Sequence, residues 1–491
     1  MSSEPRHLHP AAMIIAAIKT IRRSLSAFVI PGVAFLMSRG FDAGTIAFVL
    51  FAALVVAVFA AIWGFLSWRA TTYEVAGGAF RLRQGVVQKN ERTIPLDHVQ
   101  SVDTVQGVVQ RLFGVVEVRL ETAGGGASEP DASLPALDRA DAEALRREVE
   151  GSGREPVGAE ETAGPTVLRR LSTRELLIAG ATSGQIGIAF SLIAVFSQLF
   201  DDFGNFFSEE LVRRTFERIA PSSIVVVLLL VLAFGVLAWL LAIAGTVLAH
   251  AGFTLSRDGD FLYIKRGLLE RREATIPLAR IQAVRIVEGA LRQPFGLASL
   301  RVESAGYGEA SGVSTILFPL LPRADAEKLL LDAAPEFAVA PALERLPARA
   351  RRRYVFRAIV PVLFAAATVA LASLLAFDLA VWVFFAVLLL VFPAALYGWL
   401  RYRDAGWAYR GDLLVVRSRL LARTTAIAPR RRLQSRDVIR SPLQRRARLA
   451  TFRAQVASGG GGAELRVTDL GSGDAEALTE VLGPRISRGG G

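Results

Sequence analysis

Cysteine is absent from all 491 residues. That excludes disulfides, thiolate nucleophiles and Cys-ligated metals. Histidine is scarce: His7, His9, His98 and His250 are scattered along the chain. His7 and His9 lie two apart in a stretch that reads as a flexible N-terminus, a spacing unsuited to a metal site. There is no phosphate-binding P-loop, no Gly-x-Ser-x-Gly elbow and no His-Glu-x-x-His pair. We therefore expect no catalytic residue, no cofactor and no metal, and the chain reads as not an enzyme. Lysine supplies four of the 57 basic residues. The arginine excess reads as GC-rich coding rather than chemistry. No cleavable signal peptide is evident, because basic residues interrupt the first apolar stretch.

What is present is apolar surface. The composition is 52% hydrophobic, the mean hydropathy is +0.40 and the net charge is +12. About 20 apolar residues span a bilayer. Six segments approach that length, in pairs: Leu25–Met37 with Ala43–Trp68, Leu176–Phe200 with Ser222–Ala249, and Tyr354–Phe377 with Leu379–Leu400. Leu25–Met37 is the weakest, being short and holding Pro31. The first and third pairs have connections too short for a domain, so they read as membrane hairpins. Basic clusters flank the large loops: Lys19, Arg22 and Arg23; Arg69; Arg169, Arg170 and Arg174; Arg349 and Arg351 to Arg353; Arg401 and Arg403. By the positive-inside rule both termini and all large loops are cytoplasmic. The Asp201–Pro221 loop then falls outside, and it reads as an interfacial helix, as does Ala11–Arg23 on the inner face. The span interiors lack Asp, Glu, Lys and Arg, which ion and proton transporters need. A small-solute transporter or channel component is therefore the alternative reading and not the leading one. Gln185 and Ser183 read as helix–helix contacts, with Gly180, Gly184 and Gly187 allowing close approach.

The soluble segments repeat. "RTIPLDHVQSV", Arg92–Val102, returns as "EATIPLARIQAV", Glu273–Val284. Gln100 and Gln282 are equivalent, as are Pro95 and Pro277, Phe113-Gly114 and Phe295-Gly296. His98 falls where the second copy has Arg280, which marks an exposed position. "RADAEAL", Arg139–Leu145, matches "RADAEKL", Arg323–Leu329. A third, eroded copy has Pro429 five residues before Gln434 and closes on "GDAEAL", Gly473–Leu478. Runs such as "FRLRQGVV", "FLYIKRGLL" and "VEVRLET" alternate apolar and polar residues, the mark of half-buried antiparallel strands. Each unit therefore reads as a small barrel or sandwich ending in a helix. The Thr-Ile-Pro-Leu element reads as entering a strand, since proline is tolerated at a strand start or edge, and the glutamines suit a barrel corner. Arg119 with Glu121, and Arg301 with Glu303, share a strand face and read as solvated ion pairs.

Three such units, each behind a two-helix hairpin, resemble the bacterial pleckstrin-homology (PH) membrane proteins of the YdbS/YdbT type. In the third unit "IAPRRRLQSR" replaces the motif and Ala447-Arg448 replaces Phe-Gly. The resemblance implies a multi-pass α-helical protein of the bacterial cytoplasmic membrane with three cytoplasmic PH-like β-barrels, each capped by a C-terminal helix. The paired hairpins and the missing catalytic groups point to a non-enzymatic scaffold or adaptor, and the resemblance adds a link of some relatives to resistance against membrane-active peptides, an envelope-stress role. The resemblance also implies a hetero-oligomer with a smaller one-unit homologue. On this reading residues 1–69 hold an interfacial helix and the first hairpin, 70–150 unit one, and 151–175 a linker. Residues 176–250 hold the second hairpin, 251–335 unit two, and 336–353 a basic linker. Residues 354–403 hold the third hairpin and 404–484 unit three. Unit one is acidic, with 9 basic against 13 acidic residues; unit three is basic, with 14 against 7. Arg430, Arg431, Arg432, Arg436, Arg440, Arg445, Arg446 and Arg448 form its candidate surface for anionic lipid headgroups or a protein partner. The absence of interleaved aromatics argues against nucleic acid.

Overall fold

The computed structural model describes residues 5–22, 43–122, 131–152, 165–183, 224–304, 316–339, 342–375, 381–457 and 463–483. The segment Leu25–Met37, most of Leu176–Phe200, the Asp201–Pro221 loop, Gly184, Gln185 and Gly187 lie outside the described residues. The chain divides into two compact units. The first holds Met1–Val167, Gly252–Arg280 and Gly306–Ser314; the second holds Leu168–Ala251, Ile281–Ala305 and Thr315–Gly491. The division at Arg280 cuts through the second sequence repeat.

In the first unit, β1 (Arg6–His7), β2 (Thr72–Ala76), β3 (Ala79–Gln84) and β4 (Asn90–Pro95) form one antiparallel sheet in that order. The chain then turns into β5 (Val99–Gln106), α3 (Val108–Leu112), β6 (Val115–Thr122), β7 (Ala132–Asp138) and α4 (Arg139–Ser152). Two helices precede these: α1 over residues 11–22 and α2, Ala43–Arg69. After β8 (Thr166–Arg170) the unit takes β9 (Thr254–Asp258), β10 (Phe261–Arg266) and β11 (Arg271–Pro277). Alternation decides which side chains turn inward: Phe80 and Leu82 of β3 are 0% and 1% exposed. Tyr73, Phe80, Leu82 and Ile94 meet Val102, Val118, Leu120 and Leu134 from the other strands, and Ala142 and Leu145 of α4 close the core. Each such large side chain contributes about 1.5–3 kcal/mol on burial.

The N-terminus is built into this core. Arg6 and His7 pair with Tyr73 and Thr72, and Leu8, Ala11 and Ala12 are buried. Trp68 Nε1 donates to the Leu8 carbonyl at 2.8 Å. The expected flexible tail is therefore ordered, because its few apolar residues complete the core under the end of α2. Ile14 and Ile18 of α1 remain 41% and 43% exposed. Gly64 lets α1 cross α2 closely: a Cβ there would lie 2.5 Å from the Met13 carbonyl.

The second unit contains α5 (Thr173–Ala181), α6 (Ile224–His250), β12 (Ile281–Glu288), β13 (Leu297–Ser304), β14 (Ile316–Pro322) and α7 (Ala326–Ala333). Then come β15 (Glu344–Arg345), α8 (Ala348–Leu375), α9 (Val381–Leu389) and α10 (Val391–Asp404). The third repeat supplies β16 (Gly406–Arg410), β17 (Leu413–Arg419), β18 (Arg423–Pro429), β19 (Leu433–Ile439), α11 (Pro442–Arg446), β20 (Leu449–Val456), β21 (Ala463–Gly471) and α12 (Ser472–Val481). Its core joins Trp407, Leu414 and Val416 to Phe452, Leu465 and Leu470, with Leu478 of α12 beneath.

Among the described residues four helices are long and apolar enough to cross a membrane: Ala43–Arg69, Leu232–His250, Ala348–Ser373 and Trp382–Asp404. Apolar side chains cover their outsides, with Phe51, Leu232, Phe364 and Phe385 all more than half exposed. A helix apolar all round belongs in lipid or a large core. The last of these spans is broken at Leu390. Pro393 explains the break, since it has no N–H for the Leu389 carbonyl. Small residues set the helix crossings. A Cβ at Gly398 of α10 would lie 2.7 Å from the Tyr354 carbonyl of α8, and one at Gly180 of α5 would lie 3.0 Å from Ile243 Cα of α6. Ser183 follows α5, and its hydroxyl donates to the Gly180 carbonyl at 2.7 Å.

Candidate interaction surfaces

The repeated motif builds a corner. The Thr-Ile-Pro-Leu element leaves a strand rather than entering one: Pro95, Pro277 and Pro429 each end a strand, where the absent N–H is not needed by the ladder. The next N–H leaves the strand for a hairpin turn: Leu96 donates to Gly78, Leu278 to Asp260 and Arg430 to Asp412, at 2.8–2.9 Å. A single 3-10 turn follows, Leu96–His98, Leu278–Arg280 and Arg430–Arg432. His98 is exposed, as its alignment with Arg280 implied. Then the register slips by one residue at Val99/Ser101, Ile281/Ala283 and Leu433/Ser435. The skipped residue is the glutamine every time: Gln100, Gln282, Gln434. A bulge bends its strand and raises the twist, so the glutamine marks where the second half of each repeat swings away. Gln282 is 8% exposed. Phe113 and Phe295 are 38% and 72% exposed. They precede Gly114 and Gly296, which adopt φ of 70° and 61°. In the third repeat Arg448 holds that left-handed position with φ 51°.

Consecutive repeats are joined through their sheets. In the first unit the strand order is β7-β6-β5-β11-β10-β9, so β5 of repeat one pairs with β11 of repeat two. In the second unit the order is β14-β13-β12-β18-β17-β16-β15, so β12 of repeat two pairs with β18 of repeat three. The two joints share one register. Gln106 faces Arg271 in the first, and Glu288 faces Arg423 in the second; these are equivalent positions when the glutamines are aligned. The first joint is shorter, because the Thr275 N–H donates to the Asp103 carboxylate at 3.3 Å.

Carboxylates are buried around these joints. Glu288 is 2% exposed and accepts from Arg423, with Nε at 3.0 Å. Asp404, at the end of α10, is 4% exposed and accepts from Arg419. Arg417 donates to the Asp404 carbonyl at 2.9 Å. An acidic side chain at a helix C-terminus is unfavourable alone, so these arginines stabilise it and tie α10 to β17 and β18. In the first unit Asp103 and Glu121 are each 4% exposed. Burial pushes Asp103 up to about 7, against the Thr275 N–H. Burial, then the Asp103 charge, pushes Glu121 up to about 8. The expected Arg119–Glu121 pair is not formed: Arg119 pairs with Glu117 at 2.8 Å. Glu303 lies 2.7 Å from Arg285, across the ladder. For Arg119 a neighbour of the expected partner on the same strand is better placed. No group of three or more His, Cys, Asp and Glu side chains that could hold a metal occurs among the described residues.

The bacterial PH domain model matches residues 25–152, 212–334 and 359–486. The chain belongs to the bacterial PH domain family. It is also 34% identical, over 507 aligned residues covering 97% of both chains, to the UPF0699 transmembrane protein YdbT of Bacillus subtilis (strain 168). No solved structure matches. With the four apolar helices, this likeness makes the chain a YdbT-like membrane protein with three PH-like units.

Each PH repeat carries an apolar pair at the tip of its second hairpin: Val86-Val87, Leu268-Leu269 and Leu420-Leu421. Val87 is 86% exposed, Leu268 and Leu269 are 50% and 52%, and Leu420 and Leu421 are 68% and 69%. Two tips lie beside the ends of apolar helices. Arg401 of α10 donates to the Arg419 carbonyl at 3.1 Å, next to Leu420. Ser67 and Thr71, at the end of α2, line one cleft with Gln84, Gly85 and Gln88. The third tip is held by the first repeat, where Arg111 donates to the Leu268 carbonyl at 2.8 Å.

The eight arginines of the third repeat lie before, on and after β19. Arg430 donates to the Gly483 carbonyl, Arg431 lies 2.7 Å from Glu336, and Arg440 pairs with Glu476. Arg432 is half-buried beside them, and Arg436 lies on β19. Arg445, Arg446 and Arg448 are exposed on and after α11. The seven residues of β19 separate the two groups by about 20 Å at roughly 3.4 Å per residue. A cavity of about 240 Å³ in the second unit is lined by Arg323, Arg345, Arg417 and Glu344 among others. Sequence reading missed both the cavity and the tips.

Proposed function

We propose that this protein is a non-enzymatic scaffold of the bacterial cytoplasmic membrane. Six spans in three hairpins hold three PH-like barrels on the cytoplasmic side, with both termini inside. The barrels lie against the inner leaflet and present their exposed faces to a protein partner. The physiological setting is envelope stress, including resistance to membrane-active peptides.

The observation that carries the reading is the apolar pair at the same hairpin tip in all three repeats. Exposed Val-Val and Leu-Leu pairs lose free energy in water and gain it at the acyl boundary. Two of the tips lie beside helix ends, where the headgroups would be. Basic residues at the same ends, Arg69, Arg401 and Arg403, suit anionic lipid.

The test uses the absence of native cysteine. Single variants Val87→Cys and Leu421→Cys are labelled with an environment-sensitive fluorophore in proteoliposomes. The expected result is a blue-shifted signal quenched by nitroxide lipids but not by aqueous iodide. Quenching by iodide alone would place the tips in water and remove the reading.

A further inference from the structure

We propose that the cavity on the β12-β18-β17-β16-β15 sheet of the second unit binds a phosphate group, held between Arg417 and Arg345 with Arg323 at the wall. The inference goes beyond the scaffold reading and does not depend on where the hairpin tips lie.

One row of residues crosses this sheet. Ile286 is paired with Thr425, Thr425 with Arg417, Arg417 with Gly406, and Gly406 with Arg345. Residues directly opposite each other on adjacent strands share a face. All five line one cavity of about 240 Å³, and Arg323 lines it too. That is the liquid volume of about eight waters, room for a phosphate group with a short organic tail. Gly406 contributes no side chain, so Arg345 and Arg417 stand on either side of a gap two strand spacings wide, roughly 10 Å.

The other two repeats fill the same row differently. Counted from the corner prolines, the positions of Gly406, Arg417 and Thr425 hold Thr72, Arg83 and Glu91 in repeat one. They hold Thr254, Lys265 and Glu273 in repeat two. The strand pairing is the same in each. There the cation meets an acid across the ladder: Arg83 lies 3.0 Å from Glu91, and Lys265 lies 3.2 Å from Glu273. Repeat three keeps the cation and drops both the acid and the first threonine. Thr425, 6% exposed, stands in place of the glutamate, and glycine opens the space beside Arg417.

The nearby acids do not make up the loss. Asp404 accepts from Arg419, and Glu288 accepts from Arg423. Arg417 reaches only the Asp404 carbonyl, through Nε at 2.9 Å. Burial, then the Arg423 charge, pushes the Arg417 guanidinium below its ordinary value. Arg323 lies 3.8 Å from Glu288 and 3.6 Å from Glu327, beyond good hydrogen-bond distance. Arg345 is exposed. Counting Glu344, which also lines the cavity, three positive charges stand against one negative. A phosphate monoester brings a charge of about −2 and three acceptor oxygens, which matches the surplus; a carboxylate brings half that charge. Guanidinium forks suit phosphate oxygens, and the Thr425 hydroxyl can donate to the same group.

The test titrates the purified full-length protein, in a phosphorus-free maltoside detergent at constant ionic strength, with inorganic phosphate and with glycerol 3-phosphate by calorimetry. Both are expected to bind. Arg417→Gln and Arg345→Gln should each lose at least about tenfold in affinity, the worth of one charge-assisted hydrogen bond. Thr425→Glu, which copies Glu91 and Glu273, should abolish binding by giving Arg417 its acid back. Arg345→Gln alters an exposed side chain, so its loss is read on a folded protein. Short-chain phosphatidic acid in the same micelles carries the phosphate of glycerol 3-phosphate on acyl chains. Tighter binding of that lipid, weakened by Arg345→Gln, makes the source a lipid headgroup; binding no tighter than glycerol 3-phosphate makes it a soluble ester. No binding of any of the three ligands would overturn the inference, and so would binding that Arg345→Gln and Thr425→Glu leave unchanged.

Discussion

Arg357 Nη2, on the membrane helix α8, donates to Asp469 Oδ2 of β21 at 2.7 Å. Asp469 is fully buried and also accepts from Arg353 at 3.2 Å and from Gln444 at 2.8 Å. Tyr354 of the same helix donates to the Thr468 carbonyl at 3.0 Å. The first turns of α8 are thus tied to the third PH repeat by three side chains, Arg353, Tyr354 and Arg357. Asp469→Ala leaves two arginines facing each other without their acid. Loss of one partner of a buried pair costs about 3–5 kcal/mol, and Arg357 is partly solvated, so about 3 kcal/mol is expected. Thermal unfolding in detergent, with Asp437→Ala as the exposed control, checks it.

Arg448 sits at φ 51° where the other repeats have glycine. A left-handed residue with a Cβ is disfavoured by about 1–2 kcal/mol, and glycine returns about half of that as lost chain entropy. Arg448→Gly should raise stability by roughly 0.5–1 kcal/mol. The carbonyl of residue 448 keeps its bonds from Arg349 and Ser472, so the turn survives. A fall in melting temperature would show that the arginine side chain contributes more than the strain removes.

Asp103 and Glu121 give the first unit a pH dependence. Their folded values of about 7 and about 8 lie above the ordinary 3.8 and 4.5. The folded state therefore holds protons that the unfolded chain has released. The stabilisation is complete below about pH 4 and is lost as pH rises through about 7 to 8. Glu121→Gln should be more stable than wild type at about pH 8 and close to it at about pH 4. Melting curves at both pH values test the sign.

Gly398 fixes the approach of α10 to α8. A methyl there would meet the Tyr354 carbonyl and Val355 Cα at 2.7 Å, and backbone cannot yield cheaply. Gly398→Val should cost about 1–3 kcal/mol by overpacking and should weaken detergent stability more than Gly235→Val, which faces open space.

The strands were legible because their side chains alternate, and the closing helices because "RADAE" and "GDAEA" place small residues on the inner face at Ala142, Ala326 and Ala475. The recurrence of Pro95 and Gln100 was visible, but the sequence alone reads the proline as a strand entry, because a proline suits either end of a strand and only the pairing shows which. The joints were not legible. Their pairing runs between repeats, and Thr104 or Val287 reads as an ordinary half-buried strand residue whichever neighbour covers it. Side-chain partners followed the same limit, since Arg119 chooses Glu117 over Glu121 for reasons of burial that spacing does not carry. The tips left a signal that could have been used: Val86-Val87, Leu268-Leu269 and Leu420-Leu421 break the alternation at a turn, where consecutive apolar residues have no core to enter.

The central claim is that all three PH repeats face the cytoplasm. Single cysteines at Gln88, Glu270 and Arg410, and one at Ser208 in the expected outer loop, can be placed in this cysteine-free chain. Intact protoplasts are treated with a membrane-impermeant maleimide before and after permeabilisation. The account predicts labelling of Ser208→Cys in intact cells, and of Gln88→Cys, Glu270→Cys and Arg410→Cys only after permeabilisation. Labelling of any of these three from outside would contradict it.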